Sequence, residues 1–125
     1  MLQLESLSIT YIPTSIQHLQ HLEYLHLSDN QIQEIPPELW QLKKLKGLAL
    51  NFNQISHLSS DITQLVNLED LQIADNKLTC LPPEIGQLTH LKTLLLADLN
   101  VPETQINQIQ AQLPNCTIWV TKTSQ

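Results

Sequence analysis

Two histidines three residues apart, His18 and His21, are the first residues here whose spacing could do chemistry. On one face they could start a metal site. No cysteine or carboxylate with ligand spacing joins them, so they read as solvated side chains. His57 and His90 read the same way. Asp70 and Asp75 are neighbouring acids, but a general acid and base need a substrate pocket and a poised partner, and none is legible. The only glycines are Gly47 and Gly86, so there is no glycine-rich phosphate loop. Gly-x-Ser-x-Gly and His-Glu-x-x-His are both absent. No cofactor is implied, and the expected class is not an enzyme.

Charge narrows the partners. The chain has 125 residues, six lysines, no arginine and a net charge of −6. Nucleic-acid binders carry basic stripes that neutralise phosphates. The one basic cluster, Lys43, Lys44 and Lys46, reads as a solvated edge. No apolar stretch approaches the roughly 20 residues needed to span a bilayer, and Met1 leads into patterned residues with no secretory signal. Cys80 and Cys116 are too few for a disulfide framework and read as free thiols, which points to a cytoplasmic location.

The elements that must position any site come from a period. Leu22, Leu45, Leu68 and Leu91 recur every 23 residues. Each opens the pattern Leu-x-x-Leu-x-Leu-x-x-Asn-x-Ile-x-x-Leu-Pro-x-x-Ile-x-x-Leu-x-x. Such units bury their apolar faces only against one another. The repeats run 1–21, 22–44, 45–67, 68–90 and 91–99, with a cap over 100–120 and a tail over 121–125, all in one domain. This pattern resembles the leucine-rich repeat family over residues 1–99. The repeat length and the run Leu81-Pro82-Pro83-Glu84-Ile85-Gly86-Gln87-Leu88 are most similar to the cytosolic class of Ras-pathway scaffolds and Roco-type GTPases. The resemblance implies an α/β right-handed solenoid arc and a protein-binding role.

The pattern also has a physical reading. Leu-x-Leu has period two, so both leucines face one side of a strand. Successive strands should form one parallel sheet of about five or six. Asn30, Asn53 and Asn76 should form a ladder that satisfies backbone groups where the chain leaves each strand. Ile35-Pro36-Pro37-Glu38-Leu39 reads as a turn into a short helical or 3-10 return segment with proline at its start. Ser59-Ser60-Asp61 should replace proline with a side-chain cap. In the last unit, Asn100 offers a cap ahead of Pro102 and Glu103. Ile106, Ile109 and Leu113 form an apolar helical stripe. Cys116, Ile118 and Val120 alternate with Thr117 and Trp119, which reads as a final strand.

The candidate site follows from this alternation. Residues between the inward leucines project from the concave side of the arc. One expected column is Gln3, His26, Ala49, Gln72, Leu95 and Thr117. A second is Met1, Tyr24, Gly47, Asp70 and Thr93. A third is Glu5, Ser28, Asn51, Ala74, Ala97 and Trp119, and a fourth is Ser6, Asp29, Phe52, Asp75 and Asp98. The expected partner-binding residues are Tyr24, His26, Asp29, Phe52, Asp70, Gln72, Asp75, Leu95, Asp98 and Trp119. Aromatic anchors among carboxylates suit a basic protein segment; the other reading is ordinary solvent-facing side chains, with Phe52 and Trp119 packed at a turn or cap. Trp40 either drapes over Gln17, Thr63 and Gly86 or marks a convex contact. Two further functional readings stand beside this one. The chain could target or sense for a larger enzyme, a Roco-like GTPase or a bacterial ubiquitin ligase. It could also self-associate as a homodimer, because the first repeat lacks its opening leucine and exposes an apolar end. Either the chain is the C-terminal piece of a longer protein, or it covers that end itself.

Overall fold

The computed structural model describes residues 1–120; the tail assigned to 121–125 lies outside them. Six short parallel strands stand side by side in chain order. They are β1 (Leu2–Gln3), β2 (Tyr24–His26), β3 (Gly47–Ala49), β4 (Asp70–Gln72), β5 (Thr93–Leu95) and β6 (Thr117–Trp119). The register aligns Leu2, Leu25, Leu48, Leu71, Leu94 and Ile118. Leu25, Leu48, Leu71 and Leu94 are each at most 1% exposed, so the expected inward row exists. Leu27, Leu50, Ile73 and Leu96 form a second buried row beside it.

Each coil returns through five residues of 3-10 helix: Thr14–His18, Pro37–Gln41, Ser60–Gln64 and Pro83–Gln87. Pro37 and Pro83 begin their segments, where a missing N–H costs nothing. In the third segment the Ser59 hydroxyl accepts a hydrogen bond from Asp61 N–H at 3.0 Å, the side-chain cap anticipated there. Ile16, Leu39, Ile62 and Ile85 point these segments into the core.

The asparagines form the expected ladder. Asn53 Nδ2 donates to the carbonyls of Leu27 and Leu50, and its Oδ1 accepts from Ile32 N–H. Asn76 repeats this with Leu50, Ile73 and Ile55. Asn30 binds the Leu4 and Leu27 carbonyls and accepts from Leu7 and Ile9. Each side chain thus joins two consecutive coils.

The structure differs from the sequence expectations in three places. Helix α1 (Glu103–Gln112) has Pro102 at its N-cap with no side-chain hydrogen bond, so Asn100 does not cap it. Pro102 has ψ of 140°, an extended residue that ends the preceding chain and leaves Asn100 too far upstream. Trp40 is 2% exposed inside the core, so it offers no convex contact. Most consequentially, Leu95 aligns with Trp119 and Thr93 with Thr117. The final coil is one residue longer than the others, because α1 replaces a five-residue return segment. Trp119 therefore belongs to the His26–Gln72–Leu95 column, and Thr117 to the Tyr24–Asp70 column.

Gly86 has a packing role in this closure. A Cβ there would lie 1.6 Å from Gln112 Oε1, so its bare backbone admits α1 against the last 3-10 segment. The amide of Gln105 in α1 bonds both backbone groups of Leu81. Gln110 Nε2 donates to the carbonyls of Leu113 and Cys116, which tie the helix end to β6.

Candidate functional site

The sheet leaves two rows of side chains free of the core. The first stands on the strands. Tyr24 is 37% exposed, and its ring lies over Gly47, where an added Cβ would come within 2.7 Å of it. His26 is half-buried, and the next residue in its row is the buried Ala49. Beyond Ala49 stand Gln72, Leu95 and Trp119.

The second row follows the strands, where the chain leaves the sheet in a left-handed conformation. Asp29, Phe52, Asp75 and Asp98 have φ of 58°, 57°, 55° and 56°. Aspartate tolerates this backbone; a bulky aromatic does so only with strain. Phe52 nevertheless sits there with 58% of its surface exposed. It is not packed into a turn. Asp29 accepts a hydrogen bond from the Ser6 hydroxyl at 2.6 Å. Asp75 is half-buried. Burial first, then the charge of Asp98 and a hydrogen bond shared with it, raise the Asp75 carboxyl above the usual carboxylate range.

Asp70 is the most organised acid. Its Oδ2 accepts from Gln72 Nε2 at 3.0 Å and its Oδ1 from the Thr93 hydroxyl. Gln72 Oε1 in turn accepts from Asn51 Nδ2 at 2.8 Å, and Asn51 Oδ1 accepts from Ala74 N–H at 2.8 Å. This chain crosses three strands. It fixes the carboxylate at one edge of an open recess of about 440 Å³, lined by Asp70, Gln72, Thr93, Leu95 and Trp119. Trp119 is 57% exposed.

Of the ten residues singled out from sequence, the fold brings Asp70, Gln72, Leu95 and Trp119 together around that recess. Asp29, Phe52, Asp75 and Asp98 form a separate edge row, and Tyr24 and His26 lie toward the first coil. Thr93 and Asn51 were not singled out. Their signal was a hydroxyl beside Asp70 in one column and an amide diagonal to Gln72, both readable once strands are laid in register.

Among the described residues, no group of three His, Cys, Asp or Glu side chains could hold a metal ion. No helix among them is long and apolar enough to cross a membrane. Cys80 is exposed, Cys116 is buried, and neither is in a disulfide.

Comparison with known proteins agrees with this architecture. A family model described as leucine-rich repeats (2 copies) matches residues 20–65, and a leucine-rich repeat model matches 67–88. No curated protein matches. Among solved structures, the chain is similar to the leucine-rich repeat protein LIC12759 of Leptospira interrogans. It is 38% identical over 90% of this chain and 29% of that one, with a TM-score of 0.85. The ectodomain of the receptor kinase SOBIR1 from Arabidopsis thaliana is 26% identical over 95% of this chain and 67% of that one, at TM-score 0.72. An internalin (inlF) of Listeria monocytogenes shares the fold at 21% identity and TM-score 0.76, over 96% of this chain and 41% of that one. The chain thus spans under a third of the Leptospira protein and under half of the internalin.

Proposed function

The chain belongs to the leucine-rich repeat family, and from that premise we propose that it is a non-enzymatic protein-interaction module whose concave sheet face takes a basic segment of a partner protein. Domains of this family generally bind proteins, though fold alone does not assign a role. One observation carries the reading here: Phe52 and Trp119 stand more than half exposed on a rigid face edged by carboxylates. Folding does not require either side chain there. Large aromatics dominate many protein interfaces, and acidic surroundings orient and speed the approach of a basic partner. The free thiols support placing the module in the cytoplasm, where thiols stay reduced.

The test is a photo-crosslinking residue at Tyr24 or, as control, at Asp61 on the exposed return segment. A partner crosslinked from position 24 and not from 61 is then purified and titrated. Tyr24→Ala with Asp70→Lys should weaken it at least ~100-fold, about 2.7 kcal/mol. Crosslinking from position 61 alone would move the site to the return side.

A second reading rests on the opposite end. An apolar recess of about 240 Å³ opens beside β1, lined by Leu2, Leu4, Ile12, Leu19 and others, with Tyr11 on its wall at 70% exposure. Two copies could meet there. Light scattering over a dilution series decides it, and a monomer at every concentration disposes of the homodimer.

A further inference from the structure

The geometry points to a specific occupant for the recess between β4 and β6: the guanidinium of an arginine carried by the partner segment. This rests on the concave-face reading and names what its C-terminal half recognises. A carboxylate oxygen has two lone-pair positions. Asp70 uses one on each oxygen, toward Gln72 and Thr93. One remains on each, which is the arrangement a guanidinium fork binds with two parallel hydrogen bonds. The internal donors also hold the carboxylate in place, so little side-chain freedom is lost when a ligand arrives.

The other walls fit the same group. Trp119 is two strands away from Asp70 and two residues further along. Strand spacings put their Cα atoms about 12 Å apart, leaving room for a planar cation between the side chains. Indole faces attract guanidinium, which stacks on them better than ammonium does. Leu95, on the strand between them, is in register with Trp119 and diagonal to Asp70, and it offers apolar surface to the arginine methylenes. Gln72 and Thr93 complete a lining with no cation in it. Among the described residues, Lys46 pairs with Glu23 at 3.8 Å and Lys92 with Glu69 at 3.5 Å, so neither neutralises Asp70.

The probe is the capped pentapeptide Gly-Ser-Arg-Ser-Gly, with a version carrying citrulline, the neutral isostere of arginine. The full chain, labelled with nitrogen-15, is titrated at low salt. Saturable shifts should appear at the amides of Asp70, Gln72, Thr93 and Leu95 and at the Trp119 indole N–H. Citrulline and Asp70→Asn should each weaken binding at least ~10-fold. Trp119→Leu should also weaken it, while Asp61→Asn should not. Asparagine keeps the shape of Asp70, and the unliganded spectrum verifies the fold of each variant. Equal binding of the citrulline peptide, or no shifts up to ~10 mM, overturns the arginine site. Shifts confined to other concave residues overturn it too while leaving the face reading standing. Shifts confined to the return segments overturn both.

Discussion

Phe52 occupies a position where the neighbouring coils place aspartate, and the contrast makes it informative. A left-handed backbone costs a bulky side chain about 1 kcal/mol, and asparagine much less. Phe52 recovers little of that by burial, since it is 58% exposed. Phe52→Asn should therefore raise stability by about 0.5–1 kcal/mol in urea unfolding while weakening partner binding. A loss of stability instead would mean that the ring packs. Asp75 gives a second residue-scale prediction. Its raised carboxyl favours the protonated form in the fold. Its stabilising contribution is therefore present below the ordinary carboxylate value and lost as pH rises through the raised one. Asp75→Asn tolerates the same backbone and removes the repulsion with Asp98. Thermal unfolding should show a higher midpoint than the native chain at pH 7, and the difference should disappear once the pH falls below the ordinary carboxylate range. The recurring Asp29, Asp75 and Asp98 marked the position in sequence, but neither effect was legible there, because the left-handed turn and the approach of Asp98 to Asp75 follow from coil geometry.

At the scale of elements, the asparagine ladder decides whether consecutive coils hold together. Asn53 is 7% exposed and serves two carbonyls and one N–H across two coils. Asn53→Leu would orphan all three at roughly 1–3 kcal/mol each. Chemical denaturation should show a loss of at least ~3 kcal/mol, enough to unfold a marginal domain. Ser59→Ala, at the edge of a return segment, should cost only about 0.5–1 kcal/mol. These elements were legible because their residues recur: leucine at period two marks the strands, and asparagine and proline mark the exits and returns. The C-terminal cap was legible only in outline. Its helix and strand were readable from Ile106, Ile109 and Leu113 and from the alternation after Pro114. The extra residue in its coil was not, because no further repeat follows to expose the shift. The expected columns spaced the last two strands by 22 residues and the observed register spaces them by 24, so Trp119 moved two residues along the sheet, one column on the same face, and came to lie beside Leu95.

For the whole molecule, a row of aliphatic side chains fixes the curvature and rigidity of the sheet, and the residues between them are left to vary. The core is continuous from Ile12 to Cys116 and includes Trp40. The solenoid was legible because core positions obey a period. The working surface was only partly so, since its residues obey none; sequence marked the columns, and hydrogen bonding picked out Asp70 from the other acids. The most direct measurement is the dissociation constant of a crosslinked partner for three forms of the chain. These are the native protein, Tyr24→Ala with Asp70→Lys on the concave face, and Asp61→Lys on the return side with the same charge change. A concave docking platform predicts at least ~100-fold weakening for the double variant and less than ~2-fold for Asp61→Lys. Equal weakening by both, or loss with Asp61→Lys alone, would contradict it.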